Sequence, residues 1–142
     1  MAVGMRRIGA TAAAGALGSL LAVSVAGADV TGVRVDAGAD GLRTGCPVTL
    51  TATVDTPVPD GGTVTFINSG GAVPGNGEPI AGTPVHHPEN GTVTMAWTPK
   101  YAGRQNITAQ QFKPGSYTSS SYVTVDVAGS GLNTGSSCLP LP

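Results

Sequence analysis

The sequence predicts an all-β domain whose strands close as a two-sheet antiparallel sandwich. Three observations predict it. Residues Val48–Val54 alternate Val, Leu, Ala and Val against three Thr, the period of a half-buried strand. Residues 90–111 hold two more such runs around a Pro99–Gly103 corner. Val93, Met95 and Trp97 share one face of the first run, and Ile107 and Ala109 share one face of the second. Charged residues make up only 11% of the chain, while Gly and Pro number 22 and 11, so turns are plentiful and the wet faces must be built from Thr and Ser. High Gly with Pro also suits a flexible linker, but the regular alternation after Cys46 argues against that for the middle of the chain.

The elements follow in chain order. Arg6 and Arg7 precede an apolar run, Ile8 to Ala26, and Ala26-Gly27-Ala28 is the small-x-small triplet that a signal peptidase accepts. Residues 1–28 therefore read as a secretory signal peptide. The run approaches the roughly 18 residues that span a bilayer, so a membrane anchor is the alternative. The weak apolarity of Ala and Gly and the placed triplet favour cleavage. Arg6-Arg7 could open a twin-arginine signal, but Ile8-Gly9-Ala10 matches that motif poorly. Cleavage leaves 114 of the 142 residues, enough for one small domain. It also moves the formal net charge from −1 to −3. A mildly acidic domain with scattered bases offers no footprint for nucleic acid and no basic face for an anionic membrane.

Val30–Asp36 is the first expected strand, and residues 37–45, with three Gly, are a turn. Pro47–Asp55 is the second strand. Thr56–Gly62 is a turn by its chemistry, because Pro sets φ and Gly allows φ > 0. Thr63–Asn68 is the third strand, with Val64 and Phe66 on one face. Residues 69–89 are rich in Gly and Pro and are expected to hold one or two short edge strands around Ile80 and Val85. The two strands of residues 90–111 come next. Phe112–Ser120 is a polar loop around Pro114-Gly115, and Ser121–Ala128 is the last strand. The folded domain thus runs over 29–128, and residues 129–142 are expected to be a flexible tail. About seven strands with turns between them make the sandwich. Aromatics are only 4% of the chain, so the core is modest and a covalent tie would help it.

Cys46 and Cys138 are the only cysteines. In an exported chain an even pair reads as a disulfide rather than two free thiols. The second strand starts at the pole where the last strand ends, and residues 129–137 suffice to cover the gap. The long loop so closed is worth about 4–5 kcal/mol in the chain-entropy account.

These residues resemble a bacterial immunoglobulin-like domain, of the group 3 type found on actinobacterial surface and secreted proteins. The resemblance covers Cys46 to Val127. It is carried by Val48-Thr-Leu-Thr-Ala-Thr-Val54, Gly62-Thr-Val-Thr-Phe66, Gly91-Thr-Val-Thr-Met95, Ala102-Gly103 leading into Asn106-Ile-Thr-Ala109, Phe112 with Gly115, and residues 119–127. It implies an Ig-like sandwich in a non-catalytic, extracellular role. These are fold motifs and none is catalytic, so they specify architecture more than activity. The chain departs from the pattern in standing alone, in its long insert at 68–89, and in a Trp97 that is not on the third strand. Tyr101, before the sixth strand, is either a tyrosine corner or a plain exposed residue.

Little in the sequence carries chemistry. His86-His87 with Glu89 could hold a metal, but neighbours on a strand point to opposite faces, so a loop reading is preferred. Asp36, Asp40, Asp55 and Asp60 lack the spacing of a calcium loop. Ser119-Ser120-Ser121 has no positioned base, and no Gly-x-Ser-x-Gly, His-Glu-x-x-His or phosphate loop occurs. No catalytic residue, cofactor or metal is therefore expected. The candidate binding loop is Phe112 to Tyr117, where Phe112, Lys113 and Tyr117 offer aromatic and cationic contacts. The plainer alternative has Phe112 packing over the domain end.

The expected function is a secreted, monomeric recognition or adhesion module for a protein or an envelope glycan, released or held at the cell wall. No nucleic acid and, after leader cleavage, no membrane is expected as partner. The alternative is a structural envelope protein that assembles through sheet edges. A concave aromatic pocket would favour ligand binding, and an open flat edge would favour assembly.

Overall fold

The structure, a computed structural model, describes residues 30–55, 62–112, 115 and 119–142. The expected leader, most of the 56–62 turn, Lys113 and Tyr117 lie outside the described residues. Ten strands and no helix occur among the described residues. They are β1 (Val30–Asp36), β2 (Arg43–Thr44), β3 (Val48–Val54), β4 (Thr63–Ser69), β5 (Glu78–Pro79), β6 (Val85–His87), β7 (Thr92–Trp97), β8 (Gly103–Phe112), β9 (Ser119–Asn133) and β10 (Cys138–Pro140).

The strands form two sheets. Sheet one has the order β1-β3-β7-β6, and sheet two the order β10-β9-β8-β4-β5. Every pair is antiparallel except β2, which lies parallel to β9. The chain leaves sheet one after β1, joins sheet two briefly at β2, and returns at β3. The bulge between Val30 and Gly32 in β1 is the irregularity in that edge strand.

Alternation decides which side chains go inward. Val48, Leu50, Ala52 and Val54 of β3 and Val93, Met95 and Trp97 of β7 are buried. Val64 and Phe66 of β4, Ile107 and Ala109 of β8 and Val127 of β9 join them in one cluster, so both sheets share a single core. Each fully buried large side chain contributes about 1.5–3 kcal/mol of transfer free energy. Thr51 is buried although it faces away from Leu50, and its Oγ1 donates to Asp36 Oδ2 at 3.2 Å.

The insert at 68–89 supplies two edge strands, but on different sheets. β5 extends sheet two beside β4, and β6 extends sheet one beside β7. Gly71 brings this insert against β8. A Cβ there would lie 2.0 Å from the Arg104 carbonyl oxygen, and its φ of 51° suits only glycine at low cost.

Two sequence expectations need correction. The turn at 37–45 contains β2, which the short Arg43-Thr44 pair could not announce by periodicity. The expected flexible tail is instead a hairpin. β9 runs on to Asn133, and β10 returns beside it with Cys138 opposite Asn133 and Leu139 opposite Leu132. Its turn is closed by Thr134, whose N–H donates to Ser137 O and whose Oγ1 accepts from Ser137 N–H. Cys46 and Cys138 are disulfide-bonded, with Cα atoms 5.9 Å apart. The bridge ties the start of β3 in sheet one to the end of sheet two. Gly131 lies beneath it, where a Cβ would sit 2.5 Å from Cys138 Sγ and 2.8 Å from Cys46 Sγ.

Candidate functional site

The register defines two poles. One holds the disulfide, the end of β7 and the start of β8; the other holds Val54, Thr92, Thr63 and Phe112. Phe112 ends β8 opposite Thr63 and is 53% exposed. Of the expected binding loop it is the one named residue whose place the structure describes.

The concave aromatic feature lies elsewhere, in a cleft of about 220 Å³ between β5 and the end of β7. Its walls are Pro79, Ile80 and Ala81 on one side and Ala96, Trp97 and Thr98 on the other. Two local events build it. The Ile80 N–H donates to Phe66 O at 2.9 Å, which holds the insert over the core. Pro99 ends β7, so the chain turns away and leaves Trp97 at the rim. Trp97 is only 5% exposed, so it offers a ligand little surface. At the mouth, Lys100 Nζ donates to Glu78 Oε1 at 3.3 Å and Tyr101 Oη to Glu78 Oε2 at 3.5 Å. The mouth therefore carries one anion and one cation in balance.

Tyr101 is thus not a tyrosine corner, since its hydroxyl reaches β5 and not the nearby backbone. Gln105 does the corner's work. Its Nε2 donates to the carbonyls of Tyr101 and Gly103, and its Oε1 accepts from Asn68 Nδ2 at 2.9 Å. No sequence pattern singled out Glu78 with Lys100, which are 22 residues apart and meet only when β5 docks.

A second cleft, about 400 Å³, opens at the disulfide pole between residues 37–41 and the 134–137 turn. Its walls are mostly Gly, Ala and Ser, and Asp40 Oδ2 accepts the Cys138 N–H at 3.1 Å.

The histidines sit on strand β6, not in a loop, and they diverge as strand neighbours should. His86 lies opposite Val93, with a buried Nδ1 that has no partner. Burial, then the charge of His87, holds its imidazole below the usual value. His87 Nε2 meets Thr94 Oγ1 at 2.8 Å, and Nδ1 meets Glu89 Oε1 at 3.3 Å. Asp36 pairs with Arg34, Asp55 is exposed after β3, and Asp60 lies outside the described residues. Among the described residues no three His, Cys, Asp or Glu side chains come together as metal ligands.

Strand edges bear on association. β5 contains Pro79, β6 is flanked by Pro84 and Pro88, and β10 contains Pro140. Proline has no N–H to offer an incoming strand, and the Cys138 N–H is already taken by Asp40.

No family model matches the chain, and neither a curated protein nor a solved structure matches it.

Proposed function

We propose that this chain is a secreted, non-catalytic module of Ig-like β-sandwich architecture that recognises a protein or a glycan outside the cell, as a monomer. The strand order supports the architecture: β1-β3-β7-β6 faces β9-β8-β4-β5, with β2 switching across to run parallel to β9. The disulfide supports an oxidising compartment. The observation that carries recognition is the Trp97 cleft, concave, apolar-walled and rimmed by a balanced Glu78–Lys100 pair. Its volume suits one sugar ring or one side chain of a partner, not a larger ligand. Prolines at three edges weigh against assembly by strand addition.

The test uses envelope-glycan arrays and pull-downs with four proteins: wild type, Ala81→Arg, Phe112→Ala and the Phe112→Ala/Tyr117→Ala double variant. Ala81 is exposed on the cleft wall, so an arginine there blocks the cleft without entering the core. Loss of a partner in Ala81→Arg alone supports the cleft. Loss only in the loop variants moves recognition to the 112–117 loop. Equal retention by all four discards both surfaces. Trp97 is the only tryptophan, so its fluorescence reports cleft occupancy directly.

A further inference from the structure

The chain contains two Asn-Gly pairs, Asn76-Gly77 and Asn90-Gly91. Such a pair is chemically labile because glycine leaves its backbone nitrogen unhindered beside the asparagine amide. Both asparagines are exposed, and both glycines have positive φ, 105° and 67°. Their hydrogen bonds differ. At Asn90 both reacting groups are held. Its Oδ1 accepts from Thr92 Oγ1 at 2.5 Å, and the Gly91 N–H donates to His87 O at 3.0 Å. At position 76 neither the Asn76 amide nor the Gly77 N–H makes a hydrogen bond to any described residue.

We propose that Asn76 is a site of spontaneous deamidation, and that the fold protects Asn90. The Gly77 nitrogen attacks Asn76 Cγ. The N–Cγ bond forms, the Cγ–Nδ2 bond breaks, the Gly77 amide proton passes to solvent, and ammonia leaves. The resulting succinimide is opened by water at Cγ to give aspartate, or at the Asn76 main-chain carbonyl to give isoaspartate. The net change is addition of one water and loss of one ammonia, with no oxidant or reductant. The formal net charge of the chain falls from −1 to −2. The new carboxylate lies two residues before Glu78 in the chain.

The test is incubation of the folded, oxidised chain at mildly alkaline pH, with timed peptide mass spectrometry that resolves aspartate from isoaspartate. The two hydrogen bonds at Asn90 predict conversion at Asn76 about tenfold or more faster than at Asn90. In denaturant the two rates should converge. Thr92→Val should speed Asn90 several-fold and leave Asn76 unchanged. Asn76→Gln should abolish the first acidic isoform. Gly77→Ala is unsuitable as a control, because its Cβ would fall 2.8 Å from Ser69 Cβ. Equal rates in the folded chain, faster loss at Asn90, or survival of both amides when folded would each overturn the proposal.

Discussion

The inward face of sheet one is apolar along its two central strands, from Val48 to Val54 and from Val93 to Trp97. Along β4 and β8 the inward face of sheet two is apolar only in the middle, at Val64, Phe66, Ile107 and Ala109, while Val127 of β9 adds to the core at the disulfide pole. Its ends carry buried amides: Asn68 and Gln105 at the disulfide pole, and Gln111 at the other. The difference shows where a core tolerates polar groups. Gln105 sits where the chain turns a corner, and its side-chain amide donates to the carbonyls of Tyr101 and Gly103 there. Gln111 has a poorer bargain, with one long 3.5 Å bond to Gly62 O and a buried Oε1 left without a partner. Burying an amide costs free energy unless its hydrogen bonds are replaced.

The strongest way to break the comparison is to cut the tie between the sheets. Cys46→Ser with Cys138→Ser should lower stability by about 4–5 kcal/mol, read from urea unfolding. A loss under about 1 kcal/mol would mean that the β9–β10 hairpin holds the pole without its bridge. Next come paired truncations in the two apolar middles. Phe66→Ala should cost about 3–5 kcal/mol and Leu50→Ala about 2–5, since both side chains are essentially fully buried. If either proves nearly silent, the two sheets do not share one core.

The amides sharpen the comparison. Gln105→Met keeps the volume but strips the corner carbonyls and Asn68 Nδ2 of their partner, so it should cost about 1–3 kcal/mol. Gln111→Met loses one weak bond and relieves an unpaired oxygen, so it should change stability by less than about 1 kcal/mol in either direction. Equal costs at the two positions would refute the view that location at a corner is what makes a buried amide acceptable.

How much of this was legible in the sequence follows from the same physics. Strands long enough to show a period of two were readable, so β3, β4, β7 and β8 fall where alternation put them. β2 and β10 have two or three residues each and no period to read, and β5 was expected only from its Gly- and Pro-rich surroundings as a short edge strand near Ile80. β10 was hidden further by its Gly- and Ser-rich approach, which suits a flexible tail as well as a tight hairpin turn. The buried amides were visible only as breaks in an apolar face, and alternation alone cannot tell a strand end from a polar stripe. The Trp97 cleft depends on β5 pairing with β4 and on the Ile80 N–H bond to Phe66 O, long-range contacts that have no local signature. Phe112 was expected as the first residue of a polar loop and instead closes β8, because the strand runs one residue further than the alternation showed, while Lys113 and Tyr117 lie outside the described residues.

His86 is the polar intrusion at the edge of sheet one, and it yields the smallest effect. It faces the same side as Val93, and its Nδ1 is buried without a partner. Burial lowers its pKa in the folded chain from 6.5, with the neighbouring His87 charge adding to the shift. The unfolded chain therefore takes up the proton first. The full stability is present above pH 6.5 and is lost as pH falls through the lower folded value, below which no further loss from this group occurs. Urea midpoints taken between about pH 8 and pH 5 should fall more for wild type than for His86→Gln, which cannot protonate. The effect is small because the ring is partly exposed and water screens its charge. An identical fall in the variant would assign the pH dependence to another group.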